Sequence, residues 1–165
     1  MFANLNIKGE TFRVNIPEFE ISLVSVESHF DDILPLIKSH FQEVSYYSKS
    51  FPLNVNKEMY LGLDKTDSMR LFVVKSKGKC IGYSSYYLMR HPHVNILQAH
   101  QDAIYLSPDY RKHGIGKMLI QFADNLFKQL GVSVVFNSVT TKVDFSEMLL
   151  SMGYERAEQL YARKL

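Results

Sequence analysis

The clearest element in the sequence is a helix predicted from Gly114 to Leu130. Its apolar residues recur three and four positions apart along one face, and Gly131 follows as a helix stop. A second helix is predicted from Asp31, as its N-cap, to Val44, because the apolar residues from Ile33 onward have the same spacing. Each helix therefore has one face that must be buried against another part of the chain.

Strands are predicted where β-branched and aromatic residues dominate short segments. Residues 76–79, a Ser-Lys-Gly-Lys turn, separate two of these segments and predict an antiparallel hairpin. Shorter helices are predicted over 56–61 and over 141–152, where Thr141 and Asp144 resemble a capped start. The predicted strands are 12–16, 20–26, 69–75, 80–89, 96–106, 132–136 and 154–163. From residue 20 onward the order is β-α-(α)-β-β-β-α-β-α-β.

Composition places the chain among globular proteins. It has 165 residues, 46% of them hydrophobic and 22% charged, which argues against a disordered or low-complexity chain. We expect one domain over residues 1–165, with residues 1–18 as an N-terminal extension. No segment approaches the roughly 20 apolar residues that span a bilayer, and Cys80 is the single cysteine. We therefore expect no membrane insertion, no disulfide, no multi-cysteine zinc site, and a cytoplasmic location.

The charge balance argues against general nucleic-acid binding. The chain carries 19 Lys and Arg against 17 Asp and Glu, a formal net charge of +2, whereas nucleic-acid-binding domains are usually strongly basic. Any site for an anion must therefore be local. Arg111, Lys112 and Lys117 form such a local group, and the phosphates of DNA or RNA are an alternative ligand for it.

These three basic residues lie in the segment 106–117, which links a predicted strand to the strongest predicted helix. Gly114 and Gly116 let a ligand approach the backbone closely, and the unpaired amides at a helix start attract anions. Three mobile cations beside them suit a ligand with several phosphates, such as a pyrophosphate. The Walker motif is absent, and the dinucleotide-binding fingerprint lacks one of its three glycines. On spacing alone, an ordinary loop-to-helix turn is the alternative.

The pattern Arg111-x-x-Gly114-x-Gly116, with residues 104–110 before it, resembles the acyl-CoA pyrophosphate motif of the GNAT superfamily of N-acyltransferases. The order of predicted elements is similar to that of the family, and the Gly-Tyr pair at 153–154 resembles the pair that follows its last helix. The chain resembles the compact acetyltransferases encoded in phage and bacterial genomes. The resemblance implies an α/β (α+β) fold: a central mixed, mostly antiparallel sheet flanked by helices, with a splayed strand pair that holds acyl-CoA.

The resemblance also implies which residues hold acyl-CoA. The strand before the motif would pair its backbone with the pantetheine arm, and the amide of Leu106 would polarise the thioester carbonyl. The backbone amides of residues 111–117 would bind the pyrophosphate. The implied cofactor-binding residues are Tyr105, Leu106, Ser107, Arg111, Lys112, His113, Gly114, Ile115, Gly116 and Lys117. Acetyl-CoA is the expected co-substrate, and no metal site is expected.

Acetyl transfer to an amine needs a group that accepts a proton from the ammonium form. Asp102 and His100 lie four and six residues before Leu106, on one face of the strand by its period of two. Relatives in the family place a Glu or His base at these positions. We therefore expect Asp102 to be the base, with His100 as its partner or alternate. The structural alternative is that Asp102 fixes a loop or an ion pair and that His100 packs within the strand.

Two positions depart from the family pattern. Leu149 occupies the position of a tyrosine that protonates the leaving thiolate in many relatives, which leaves Tyr154 or Tyr161 as substitutes to consider. Lys142 stands where many relatives have asparagine, which puts one cofactor contact in question.

We expect an acetyl-CoA-dependent N-acetyltransferase that works by direct attack of an acceptor amine in a ternary complex. The acceptor is a small molecule or an amine on a protein, and the sequence does not separate the two. The alternative is a catalytically weak CoA-binding module with a regulatory or interaction role, for which Leu149 is the indication. Proteins of this family are often dimers, so a homodimer is one expected state.

Overall fold

The computed structural model describes residues 13–16 and 19–165, so most of the predicted N-terminal extension lies outside the described residues. The described residues form six strands, four helices and a 3₁₀ turn over Pro108–Tyr110. The strands are β1 (Arg13–Ile16), β2 (Phe19–Val24), β3 (Met69–Ser76), β4 (Lys79–Arg90), β5 (Leu97–Leu106) and β6 (Val134–Phe136). The helices are α1 (Val26–Val44), α2 (Lys57–Lys65), α3 (Ile115–Gln129) and α4 (Ser146–Ser151).

All six strands join one sheet in the order β1-β2-β3-β4-β5-β6. Neighbours from β1 to β5 pair antiparallel, whereas β5 and β6 are parallel. The predicted hairpin is present as β3 and β4, and its turn residues Lys77 and Gly78 have φ angles of 49° and 79°. The expectation of a mixed, mostly antiparallel sheet flanked by helices is confirmed.

Helices cover both faces of the sheet. Alternate residues of β3 point to opposite faces, as the strand period requires: Leu71 and Val73 pack with α1, while Phe72 and Val74 pack with α3. Helix α1 contributes the buried residues Val26, Phe30, Ile33 and Ile37. Helix α3 contributes the buried residues Ile115, Leu119, Ala123, Leu126 and Phe127.

The pairing of β4 with β5 contains a β-bulge. Ser85 lies opposite Ala103, and the next residue of β4 lies opposite Gln101. Asp102 is therefore the extra residue on β5. Because a bulge shifts the alternation of side chains by one residue, the period of two does not run unbroken through residues 100–106. Bulges often re-aim a side chain beside a functional site.

Helix α1 begins six residues earlier than the sequence predicts, so the prediction of Asp31 as N-cap is wrong. The N-cap is Ser25, whose Oγ accepts a hydrogen bond from the Ser28 amide at 3.4 Å. The amide of Val26 donates to the Asp64 carboxylate of α2 at 2.8 Å. These two acceptors satisfy amides at the helix start that have no intrahelical partner, and Asp64 is 38 residues away in sequence.

The cap assignment gives a stability prediction. Replacing Ser25 by alanine is expected to lower the free energy of unfolding by about 1 kcal/mol, the usual cost of losing an N-cap. Asp31→Ala should change it by at most about 0.5 kcal/mol, because the carboxylate is almost fully exposed and its only described ion pair, with Lys57, spans 3.5 Å. Urea unfolding of the two variants beside the wild type measures this, and a larger loss in Asp31→Ala would contradict the assignment.

The last third of the chain differs from the prediction in two places. Helix α4 begins at Ser146 rather than near residue 141, and residues 141–145 form bends and irregular chain. The Asp144 carboxylate accepts a hydrogen bond from the Ser146 amide at 2.8 Å. The predicted strand over 154–163 is wrong, since these residues form no strand. Leu160 and Tyr161 are 97% and 86% exposed, so no burial stabilises an extended pairing there.

Candidate active site

A cleft of about 330 Å³ lies where β5 and β6 separate. The two strands pair only over residues 98–100 and 134–136, so the rest of β5 has β4 on one side and the cleft on the other. This matches the splayed strand pair that was expected. The cleft-lining side chains include His40, Glu43 and Val44 from α1, Phe145 and Met148 at α4, and residues 101–106 of β5.

The exposed edge of β5 presents backbone groups to this cleft. The amide of Ser107 donates to the carbonyl of Ile81 in β4 at 2.8 Å. Because backbone groups alternate in direction along a strand, the amides of Leu106 and Ile104 turn the other way, toward the cleft. Leu106 therefore has the expected orientation for a ligand. The amides of Ser107 and Tyr105 point into the sheet toward β4. They are therefore not directed at a ligand in the cleft, although both residues were expected to bind acyl-CoA through their backbone.

The start of α3 forms the second part of the cleft. Gly114 is its N-cap with a φ angle of 78°, a left-handed conformation that favours glycine, and no side chain caps the helix. Apart from its two chain neighbours and the backbone of its own helix, no described residue has an atom within 4 Å of the point where a Cβ of Gly116 would stand. Packing therefore does not explain this glycine in a helix. The uncapped amides and the open space beside them fit an anion.

The basic side chains of the motif are arranged differently from the expectation of three mobile cations. The guanidinium of Arg111 donates to both carboxylate oxygens of Glu43, at 2.5 and 2.8 Å, and its Nε donates to the Leu106 carbonyl at 2.8 Å. Arg111 is therefore held in place and joins α1 to the end of β5. Lys112 and Lys117 line the cleft, while His113 is exposed and Ile115 is buried in the core, so Ile115 offers only its backbone.

The ion pair fixes the charges of both partners. Hydrogen bonds from Arg111 lower the pKa of the Glu43 carboxyl, and the Glu43 carboxylate raises the pKa of Arg111. The guanidinium also lies over the ring of Tyr105, 5.3 Å from its centroid. One wall of the cleft is thus a charged pair that remains ionised at neutral pH.

Asp102 lies at the far end of the cleft from α3 and accepts three hydrogen bonds. Ser85 Oγ donates to it at 2.8 Å, Tyr87 Oη at 3.0 Å and Tyr60 Oη at 3.2 Å. The carboxylate and burial both raise the pKa of the two tyrosines, so these remain neutral donors. The three donors hold the carboxylate in one orientation on the α1 side of the sheet, where the bulge places it.

His100 is on the same face as Asp102, because its cross-strand partner is Tyr87. Its ring stacks on Phe136 with 4.6 Å between centroids, and its Nε2 lies 3.2 Å from the Gln98 side-chain oxygen. It is not among the side chains that line the cleft in the described part of the chain. The predicted pair shares a face, but the structure brings only Asp102 to the cleft.

His40 lines the cleft from α1 and is not among the site residues predicted from the sequence. Its Nδ1 lies 2.9 Å from Tyr83 Oη, and its ring lies 5.4 Å from that of Tyr105. Burial lowers the pKa of this imidazole. A signal was present: His40 is three residues after Ile37 and four before Val44, on the apolar stripe of the helix, where a histidine is unusual.

The structure shows the surroundings of Leu149 and Lys142, which depart from the family pattern, and of the two tyrosines considered as substitutes. Leu149 is buried. Tyr154 donates to Asp124 of α3 at 2.6 Å, beside a different cavity, and Tyr161 is exposed. Neither tyrosine lines the main cleft. The ammonium of Lys142 donates to the carbonyl of Ser45 at 3.0 Å, which ties the loop before α4 to the end of α1.

The sequence matches the model of the acetyltransferase (GNAT) family over residues 33–154, which is most of the chain. This protein belongs to the GNAT acetyltransferase family. The matched region contains the cleft, the motif at 111–116 and α4, so the resemblance seen in the sequence is confirmed. No curated protein sequence matches this GNAT chain.

Solved structures share its fold. The ribosomal-protein-alanine N-acetyltransferase of Brucella melitensis biovar Abortus 2308 gives a TM-score of 0.72 at 18% identity, over 89% of this chain and 97% of that chain. An aminoglycoside acetyltransferase from an uncultured soil metagenomic sample, in complex with sisomicin, gives a TM-score of 0.69 at 17% identity, over 89% of this chain and 94% of that chain. A predicted acetyltransferase of Clostridium acetobutylicum with acetyl-CoA gives a TM-score of 0.69 at 8% identity, over 88% of this chain and 96% of that chain.

The described residues contain neither a cluster of metal-ligating side chains nor a helix that could span a membrane. Within residues 13–16 and 19–165, no three or more His, Cys, Asp or Glu side chains are grouped so that they could hold a metal ion. In the same residues, no helix has the length and apolar character needed to cross a membrane.

Proposed function

We propose that this GNAT protein transfers an acetyl group from acetyl-CoA to a primary amine, by direct attack of the amine on the thioester in a ternary complex. One observation carries the proposal: the free edge of β5 and the uncapped start of α3 line a single cleft. An extended ligand with an amide-rich arm and a pyrophosphate has matching partners at both ends.

The groups present fit acetyl-CoA. The pyrophosphate would accept hydrogen bonds from the amides of the first turn of α3, with Lys112 and Lys117 beside it. The pantetheine arm would pair with the edge amides of Ile104 and Leu106. The side-chain oxygen of Gln101, which lines the cleft, is buried and has no partner among the described residues, so it can accept from an amide of the ligand.

Asp102 is the proposed carboxylate at the reacting end of the cleft. An acceptor amine arrives as an ammonium ion, and a fixed negative charge beside the thioester attracts it. An edge amide aimed at the thioester oxygen stabilises the negative charge that forms there, a contribution of about 3 kcal/mol in other enzymes. A catalytic role for His100 has less support, because its ring stacks on Phe136 and does not line the cleft.

The alternative is a CoA-binding module with weak catalysis. Leu149 favours it, because this buried side chain cannot protonate a leaving thiolate and the described tyrosines near the end of the chain do not reach the cleft. Both readings require acetyl-CoA binding, so turnover separates them.

An acceptor screen tests the proposal. The solved structures that share the fold include a ribosomal-protein-alanine N-acetyltransferase and an aminoglycoside acetyltransferase in complex with sisomicin. We therefore choose two probes, a peptide that begins with alanine and sisomicin. We expect release of the CoA thiol and a product heavier by one acetyl group with at least one probe. The matched control is the same peptide already acetylated at its N-terminus. Tight acetyl-CoA binding without transfer to either probe would favour the non-catalytic module.

A further inference from the structure

His40 has the position of a group that takes part in the reaction. It lies on α1 at the cleft, on the same side of the sheet as Asp102, and is held between the rings of Tyr83 and Tyr105. Its Nδ1 is bound to Tyr83 Oη. Its Nε2 has no hydrogen-bond partner among the described residues. The described side-chain nitrogen and oxygen atoms that are both buried and unpartnered belong to Ser84, Gln101 and Asn137, so Nε2 of His40 is accessible. One ring nitrogen is therefore anchored and the other is open.

Asp102 is less suited to take the proton. Its two oxygens already accept three hydrogen bonds from hydroxyl groups, which occupy most of its acceptor positions. His100 packs against Phe136 outside the cleft lining. Glu43 is bound at both oxygens by Arg111. Of the carboxylates and imidazoles considered for this role, only the imidazole of His40 combines cleft access with an open acceptor position.

We propose that His40 is the proton acceptor of acetyl transfer, with Nε2 facing the acceptor, Tyr83 holding Nδ1, and Asp102 stabilising the imidazolium. The inference rests on the proposed function and deepens it. The active tautomer carries its proton on Nδ1 and donates it to Tyr83 Oη, which leaves the lone pair of Nε2 free.

The protons transferred in the reaction are all accounted for without a separate general acid. The acceptor arrives with three protons on its nitrogen and gives one to His40 Nε2, which frees the lone pair. That lone pair forms the bond to the thioester carbon. As the bond from carbon to sulfur breaks, a second proton passes from nitrogen to the departing sulfur, giving the CoA thiol and an amide with one proton. His40 then releases its proton to water. No tyrosine at position 149 is needed.

The charges around His40 set the direction of its pH response. Burial, together with the Arg111 guanidinium, lowers its pKa despite the neighbouring carboxylates of Asp102 and Glu43, which raise it. Its imidazole is therefore neutral at pH 7, as a base must be. Lowering the pH below about 6.5, the ordinary pKa of histidine, should reduce kcat/KM for an ammonium acceptor, because the ring becomes protonated. The groups that face it are Glu43 on α1, Tyr83 on β4, Asp102 and Tyr105 on β5, and Arg111 after β5.

The test compares two kinds of acceptor in the full-length protein. An alanine peptide or sisomicin has an ammonium that must lose a proton, whereas hydroxylamine is already unprotonated at neutral pH. His40→Gln should reduce kcat/KM for the ammonium acceptor by at least about 100-fold and for hydroxylamine by less than about threefold. The matched control is His29→Gln on the same helix, a residue outside the cleft lining, which should change neither value. Thermal unfolding with and without acetyl-CoA confirms that both variants fold and bind.

Each outcome bears on the proposal. A loss confined to the ammonium acceptor supports it. Equal losses with both acceptors would show that His40 only maintains the structure, and unchanged rates with both would show that it has no role; either result overturns the inference. A wild-type protein that binds acetyl-CoA but acetylates none of the acceptors overturns the proposed function itself, and this is seen before any variant is made.

Discussion

Replacing Gly116 by glutamate is expected to weaken acetyl-CoA binding at least about 100-fold while leaving the protein folded. Beyond the adjacent residues and the backbone of α3 itself, no described atom lies within 4 Å of the added Cβ, so the side chain enters the open space at the start of α3. A carboxylate near a helix start is favourable and glycine within a helix costs up to about 1 kcal/mol, so stability should be equal or higher. The carboxylate would occupy the anion site and repel the pyrophosphate. Isothermal titration with acetyl-CoA measures the loss.

Two variants control this experiment. Gly62→Glu places the same side chain in α2, at an exposed glycine with equally open surroundings and no place in the cleft lining, and should leave affinity unchanged. Gly116→Ala should raise stability slightly and weaken binding much less than glutamate does. Full affinity in Gly116→Glu would mean that the start of α3 does not hold the pyrophosphate.

Asp102→Asn is expected to lower kcat by about 10- to 100-fold with little change in the affinity for acetyl-CoA. Asparagine has nearly the same shape, so one side-chain oxygen remains for the hydroxyls of Ser85, Tyr87 and Tyr60. The negative charge that attracts the acceptor and stabilises an imidazolium is lost. Steady-state kinetics with a fixed acceptor and varied acetyl-CoA measures kcat and KM separately.

The control for this variant is Asp31→Asn, which removes an exposed carboxylate of α1 outside the cleft lining. It should have wild-type kinetics. If Asp102→Asn has wild-type kcat, Asp102 takes no part in the reaction. If it instead loses acetyl-CoA binding, the carboxylate serves the cofactor side of the cleft rather than the acceptor.

The parts of the site that the sequence predicts are local in the chain. Gly114 and Gly116 are adjacent to the strongest helix, so their placement at its start follows from helix periodicity and glycine conformation alone. The role of the amide edge around Leu106 is implied by the family resemblance instead, and this edge immediately precedes the motif. In both cases the predicted element and the functional group belong to one short segment.

The parts that the sequence misses depend on contacts between distant residues. Arg111 binds Glu43, which is 68 residues away, so an apparently free cation of the motif is a structural link. His40 is 43 residues from Tyr83, which holds its ring. The start of α1 depends in the same way on Asp64 from another helix. Spacing along the chain carries no information about these partners.

The bulge at Asp102 illustrates a third kind of limit. A strict period of two would place Asp102 on the face of Ile104 and Leu106, which pack toward α3. The bulge turns it instead toward Tyr60 and Tyr87, on the side of α1 and α2. One extra residue in a ladder thus changes which face of the sheet a carboxylate lies on, and no local signal in the sequence marks it.

The most direct test of the account is thermal unfolding of the wild-type protein with and without acetyl-CoA. A ligand at about 100 times its dissociation constant adds roughly 2.7 kcal/mol to the stability of the folded state. For a domain of this size that corresponds to a rise in Tm of about 5–10 °C. We predict this rise with acetyl-CoA, a much smaller one with adenosine, and a rise of at most about 1 °C in Gly116→Glu. An unchanged Tm at saturating acetyl-CoA would contradict the claim that the cleft between β5 and β6 holds the acyl donor.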